Sequence, residues 1–180
     1  MIVFKSVIAV PLFIAINLSC AGSQQIPLLK SGVENWNKWR EEHRTVMPDL
    51  ARVTLAGVNL GGANMGLANL AGANLAGDTL EGANLGGADL HGANLHGADL
   101  LEVDLRGADL AGTDLGGADI DKVKSFYKAK LDPKILIQIK GEWPEKLVTI
   151  WDDTKKDWVV NDTLLEQVKK PDWHGWPAGK

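Results

Sequence analysis

The chain has 180 residues, with 19 basic and 23 acidic side chains for a formal charge of −4, and one cysteine. One cysteine excludes a disulfide within the chain, and the mild negative balance does not favour phosphate as a partner. The length suits one elongated domain with a small appendage.

Residues 1–20 differ in composition from everything after them. Lys5 and the free amine give a positive start, and an apolar run over 6–18, broken by Pro11, follows. That run is short for a membrane span and reads as a secretory signal. The cysteine stands at its end, in Asn17-Leu18-Ser19-Cys20-Ala21-Gly22. The placement resembles a bacterial lipoprotein signal, which implies lipidation at Cys20. Ser19 and Cys20 match that motif, and Asn17 stands where leucine is usual. Ordinary cleavage after Ser19-Cys20-Ala21 also satisfies a small-x-small rule. Either route predicts an exported, periplasmic protein, anchored to the membrane if Cys20 is lipidated.

Residues 21–47 read as a linker and a capping helix. Ser31 followed by Glu34 suggests a capping box, the helix runs over 33–46, and Pro48 ends it. Trp36, Trp39 and Val46 fall broadly on one face.

From Leu50 a large apolar residue recurs every fifth position: Leu50, Leu55, Leu60, Met65 and so on without exception to Ile120, fifteen in all. Around most of them the text reads A-(N/D)-L-x-G, as in Ala73-Asn74-Leu75-Ala76-Gly77. In a helix a step of five turns the side chain by about 500°, and in a flat strand it alternates faces. Neither gives these residues a common buried side. A chain that bends once per repeat does, and glycine suits the bend because it enters positive φ freely. The alanine two before each leucine is a second inward position, and the Asn/Asp and the variable residue face water.

This pattern over 49–121 closely resembles the pentapeptide-repeat family. The resemblance implies an all-β solenoid, a right-handed quadrilateral β-helix of just under four coils. It would carry a helical N-terminal cap and a small α+β C-terminal cap. Residues twenty apart should then stack, as in Leu50-Leu70-Leu90-Leu110 and Leu55-Leu75-Leu95-Leu115, with coils about 4.8 Å apart. Trp36-Asn37-Lys38-Trp39-Arg40 resembles the helix that precedes the repeats in this family, and 127–133 resembles its closing segment.

Some positions depart from the motif. Asp78 occupies an alanine slot, between Val58 and Ala98 as stack neighbours; a buried carboxylate needs a partner or a bulge, and the reading here is a distorted turn with Asp78 reaching water. Val53, Val58, Val103 and Thr113 enlarge the small slot, and Leu67 and Leu101 put leucine on the water side.

The repeat segment is taken as 48–122 and the C-terminal cap as 123–180. Asp132-Pro133 starts a helix with Ile135, Leu136 and Ile139 apolar and Gly141 as the stop. Residues 147–151 and 158–160 read as strands joined by a polar turn, and Thr163 with Glu166 suggests a capping box for a short helix before Pro171. Five of the seven tryptophans lie in this part, and Trp173 and Trp176, beside His174, are the pair expected to be exposed.

No catalytic constellation is apparent. No glycine of the repeats precedes a lysine, as a phosphate loop requires, and serine is nearly absent from the repeats. His91 and His96 would diverge around a corner of a square coil, with no histidine or cysteine at 71, 76, 111 or 116 to complete a metal site. Asp152, Asp153 and Asp157 lack the glycine and glutamate of a calcium loop. No cofactor or metal is therefore expected.

Charge is the remaining signal. Residues 49–121 hold eleven acidic residues against Arg52 and Arg106, increasingly so towards the C-terminal end, so the coil repels phosphate. The leading expectation is a non-catalytic exported scaffold or interaction module of the bacterial envelope that presents acidic faces to an envelope protein. A second follows from the family, some of whose members resemble duplex DNA and bind topoisomerases. The rod here is only roughly 18 Å tall at about 4.8 Å per coil, or about five base pairs. That reading requires a homodimer, and export would separate the protein from DNA enzymes. A third is a carbohydrate or peptidoglycan binder using Trp173 and Trp176.

Overall fold

The computed structural model describes residues 21–152 and 157–170. Cys20, Trp173 and Trp176, and with them the signal, lipidation and ligand-binding expectations, lie outside the described residues, as does Asp153 of the hairpin turn.

The repeats form a solenoid with twenty residues per turn. Parallel bridges join Asp49 to Asn69, Thr54 to Asn74, Asn59 to Thr79 and Asn64 to Asn84, and so on up the rod. One repeat, 69–73, shows why the motif reads as it does, because each of its five amides has a defined partner. Leu70 N–H donates to Asp89 O of the coil above (2.7 Å), and Gly72 N–H donates to His91 O (2.8 Å). Asn69 N–H donates to Pro48 O of the coil below (2.8 Å), and Ala73 N–H closes the turn on Leu70 O (2.9 Å). The fifth, Ala71 N–H, donates to the Asn69 side chain Oδ1 (3.1 Å). The turn needs positive φ at its third residue, which is +64° at Gly72. Arg52, Leu67, Glu102 and Lys128 take the same conformation without being glycine.

The apolar column is dry. Leu60, Met65, Leu70, Leu75, Leu80, Leu85, Leu90, Leu95, Leu100 and Leu105 are fully buried, as are most of the paired alanines. Each leucine so buried contributes on the order of 1.5–3 kcal/mol, shared with its neighbours above and below.

The ladder does not stop at Ile120 or at the expected boundary of 122. One extra residue enters at a 3₁₀ turn, Ile120–Lys122, and pairing resumes one residue out of step, with Asp104 on Ser125 and Asp109 on Lys130. Phe126 takes a leucine slot, fully buried, and Ala129 an alanine slot.

At the lower end the stretch expected as a linker is a helix, α1 (Ala21–Lys30), followed by α2 (Val33–Glu42). The Ser31–Glu34 capping box does not form: Gly32 is the N-cap residue and Ser31 Oγ donates instead to Leu28 O of the preceding helix (2.7 Å). Helix α2 ends at Glu42, four residues short of the expected Val46. Its side chains stand in for a missing coil. Trp36 Nε1 donates to Asn64 O (2.9 Å), Arg40 Nη2 to Gly66 O (2.9 Å), and Asn64 N–H donates to Asn37 Oδ1 (2.8 Å). From α1, Gln25 Oε1 accepts Asp49 N–H (2.8 Å). These are edge groups that a lower coil would otherwise satisfy.

At the upper end α3 (Pro133–Glu142) starts after Asp132 as expected, but Gly141 lies inside it and Trp143 ends it. The Asp132 side chain bonds not to its own helix but to Gly112 N–H through Oδ2 (3.1 Å), again replacing a rung. A 3₁₀ turn, Pro144–Leu147, takes the first residue expected in a strand. The hairpin pairs β1 (Thr149–Asp152) with β2 (Asp157–Val160) antiparallel, in the register Thr149 to Val160. Helix α4 (Asp162–Val168) starts before Thr163; its cap is Asn161, whose side chain accepts Leu164 N–H (3.0 Å). No helix among the described residues is long and apolar enough to cross a membrane.

Candidate interaction surface

The Asn/Asp slot makes the outer surface legible. Its Oδ1 accepts the amide two residues on in nearly every repeat, at 2.9 Å in Asn59–Gly61 and Asn84–Gly86 and 3.0 Å in Asp89–His91 and Asp109–Ala111. Only that one oxygen is needed for the turn. Asparagine and aspartate therefore serve the turn equally.

The chain uses the two unevenly. The lower positions are Asp49, Thr54, Asn59, Asn64, Asn69, Asn74, Thr79 and Asn84, with one aspartate; the upper are Asp89, Asp99, Asp104, Asp109, Asp114 and Asp119, with only Asn94 uncharged. Asparagines twenty apart help one another, as Asn84 Nδ2 does on Asn64 Oδ1 (3.4 Å). Stacked aspartates such as Asp89 and Asp109, bridged directly above one another, repel instead. Among the bridges of the described residues, Asp89 on Asp109 is the one such pair.

Part of the charge is neutralised locally. Asp104, buried, takes a bidentate contact from Arg106, at 2.9 and 2.7 Å. Asp119 pairs with Lys122 (2.6 Å), Glu102 with Lys124 (3.0 Å) and Asp109 with Lys130 (2.9 Å). Partial desolvation pushes the Asp109 carboxyl up, but hydrogen bonds from Lys130 and Ala111 N–H, with the Lys130 and His91 charges, outweigh it and hold the group below the usual range. We expect Lys130→Ala to return the Asp109 titration towards ordinary carboxylate values. Carboxyl ¹³C shifts against pH read this directly, and an unmoved Asp109 would mean that the pair does not persist in solution.

The histidines sit on separate faces. His91 lies near Asp109, and His96 Nδ1 is 3.7 Å from Asp114 Oδ2 one face along. Among the described residues no three His, Cys, Asp or Glu side chains are grouped to hold a metal.

Asp78 is a correction to the sequence reading. It does not reach water: it is fully buried in its alanine slot, with Val58 beneath it as the twenty-residue stacking requires. Oδ1 accepts Val58 N–H (2.9 Å), and Oδ2 is buried without a hydrogen-bond partner. Burial raises the carboxyl to about 6, opposed by hydrogen bonds from the Val58 and Gly57 amides. Leu67 is on the water side as expected, 56% exposed, while Leu101 is half-buried. A shallow groove of about 410 Å³ runs beside Leu67, between Arg40 and Arg106.

The Pentapeptide repeats family model matches in eight copies over residues 49–132. Among solved structures the chain is similar to a pentapeptide repeat protein from the cyanobacterium Cyanothece 51142, at 34% identity over 47% of this chain and 54% of that one, with a TM-score of 0.30. It is similar to a pentapeptide repeat protein from Nostoc PCC 7120, at 27% identity over 56% of this chain and 95% of that one, TM-score 0.41. A third is HetL, a protein involved in heterocyst differentiation regulation from Nostoc sp. strain PCC 7120, at 36% identity over 48% of this chain and 39% of that one, TM-score 0.26. The chain spans about half the length of the Cyanothece protein. No curated protein matches the sequence. Residues 49–132, with their eight matched copies, are a run of pentapeptide repeats.

Proposed function

We propose that the protein is a non-catalytic, exported interaction module of the bacterial envelope, which presents the acidic faces of its coil to a partner protein. One observation carries this reading. The turn accepts asparagine and aspartate alike, yet the chain places aspartate at six of the seven upper positions from 89 to 119. Apart from the carboxylates paired with Arg106, Lys122 and Lys130, this charge is not required by the turn and is available to what lies outside it. In the same reading the coil is a right-handed quadrilateral β-helix of just under four turns. The edge-satisfying contacts of Trp36, Asn37 and Arg40 below, and of Asp132 above, support α1–α2 and the segment after 123 as its two caps.

Export rests on residues 1–20, with Cys20 as the lipid-bearing residue. The test is fractionation of the native protein with palmitate labelling, beside Cys20→Ala. Labelled protein in the membrane fraction, lost on that change, is the expected result. Unprocessed, unlabelled protein in the cytoplasm would overturn the envelope assignment.

A further inference from the structure

The upper rim of the coil is closed unevenly. Over Asp109 and Leu110 the chain adds its own next rung. Leu110 N–H donates to Lys130 O (2.8 Å), Lys130 N–H donates back to Ala108 O (2.8 Å), and Lys130 Nζ lies 2.9 Å from Asp109 Oδ2. One corner back, Leu105 and Gly107 N–H donate to Ser125 O (3.0 Å) and Tyr127 O (2.8 Å).

One corner on, residues 113–117 repeat the lower half of this arrangement without the upper half. Asp114-Leu115 corresponds to Asp109-Leu110, and Thr113 to Ala108. Among the described residues neither Leu115 N–H nor Gly117 N–H has a hydrogen-bond acceptor, and Thr113 O receives no donor. Leu115 is 9% exposed, where Leu75 and Leu95 beneath it are fully buried. Asp114, Gly116 and Gly117 are open to solvent. Among the described residues Asp114 pairs with His96, whereas Asp109 pairs with a lysine.

We propose that this rim is a docking edge for an extended, lysine-bearing segment of a partner protein, which adds the missing rung in parallel. Two of its carbonyls, two residues apart, accept Leu115 and Gly117 N–H. One of its amides donates to Thr113 O, its lysine lies over Asp114, and an apolar residue after the lysine covers Leu115. This is the chemistry that Lys130-Leu131 already performs on Asp109-Leu110, and it is recognition by strand addition. The charge selects the partner. An acidic segment would set a second carboxylate over Asp114, whereas a basic one sets a cation there, as Lys130 does over Asp109. The inference rests on reading the chain as an interaction module but not on its export, so a failed test here leaves the fractionation result standing.

The test uses the purified full chain and a labelled peptide copying residues 124–132, with two altered peptides carrying Lys130→Glu and Lys130→Pro. The second removes the amide that would donate to Thr113 O. Amide exchange at Leu115 and Gly117 should be fast in the free protein and slow when the peptide is bound. Asp114→Asn, which keeps the Oδ1 acceptor for Gly116 N–H, should weaken binding about fivefold, and the proline peptide about tenfold. No binding at about 1 mM peptide, or binding indifferent to Asp114→Asn and to both altered peptides, would overturn the proposal. So would slow exchange at both amides before peptide is added: if independent of protein concentration, the chain covers its own edge; if it grows with concentration, a second copy does.

Discussion

Replacing Trp36 with alanine should cost about 3–5 kcal/mol of stability, the range for deleting a large buried aromatic. Trp36 is fully buried and packs beside Trp39 with ring centroids 5.3 Å apart. It also donates from Nε1 to Asn64 O, an edge carbonyl that has no coil beneath it. Its loss opens a cavity against the first coil and leaves that carbonyl buried without a donor. Trp36→Phe separates the two effects, since it keeps most of the ring and removes the hydrogen bond; it should cost about 1–3 kcal/mol. Urea unfolding of the three proteins gives the values. Because each coil depends on its neighbour, the damage should begin at the lower end: amides of 60–70 should lose exchange protection before those of 90–100. Equal costs for the two variants would show that the hydrogen bond outweighs the packing, and uniform loss of protection would show that the end is not where the rod opens.

The solenoid was legible because its signal repeats. A leucine every fifth residue, a small residue two before it and glycine two after leave one solution, and the bridges twenty residues apart follow. The break at 120 was not legible as an insertion. Ser125-Phe126 and Lys130-Leu131 continue the inward pattern one residue late, with serine and lysine in place of the asparagine or aspartate of the A-(N/D)-L-x-G text. Helix ends were read less well for a local reason. Ser31 and Thr163 are good capping residues, but Ser31 Oγ closes the helix before it, and Asn161 captures Leu164 N–H two residues ahead of Thr163. A cap motif states what a residue can do and not which of two neighbouring ends it will serve.

The candidate surface was only half visible. The excess of acids could be counted, but its significance depends on Oδ1 alone serving the turn, which the contacts at Asn84–Gly86 and Asp89–His91 make plain. The open rim at 113–117 gave no sequence signal at all. Asp114-Leu115 is written like Asp109-Leu110, and the difference between them is whether chain twenty residues on returns above or departs into α3.

Asp78→Ala should stabilise the protein at pH 7, by up to about 3 kcal/mol. A carboxyl raised to about 6 in the fold, against an ordinary value near 3.8, holds a proton in the native state that the unfolded chain has already released. Between about pH 4 and 6 the native state binds the extra proton, so raising the pH favours unfolding; the penalty is complete above the native value and absent below the unfolded one. Stability attributable to Asp78 therefore falls as pH rises through that window, the reverse of Asp109, whose lowered carboxyl loses stability on acidification. Alanine restores the motif at this slot and leaves Val58 N–H its turn partner, Leu55 O at 2.9 Å, so little is lost with the Oδ1 acceptor. Asp78→Asn should also flatten the pH dependence. Its gain should be smaller, because the amide nitrogen would take the place of Oδ2, which has no partner. The measurement is the difference in unfolding free energy between wild type and Asp78→Ala at intervals from pH 3 to pH 8, which cancels the other titrating groups. A difference that grows with pH and levels off near 7 is the expected result. A constant difference would mean that Asp78 titrates in the fold as it does in the unfolded chain, and therefore reaches water.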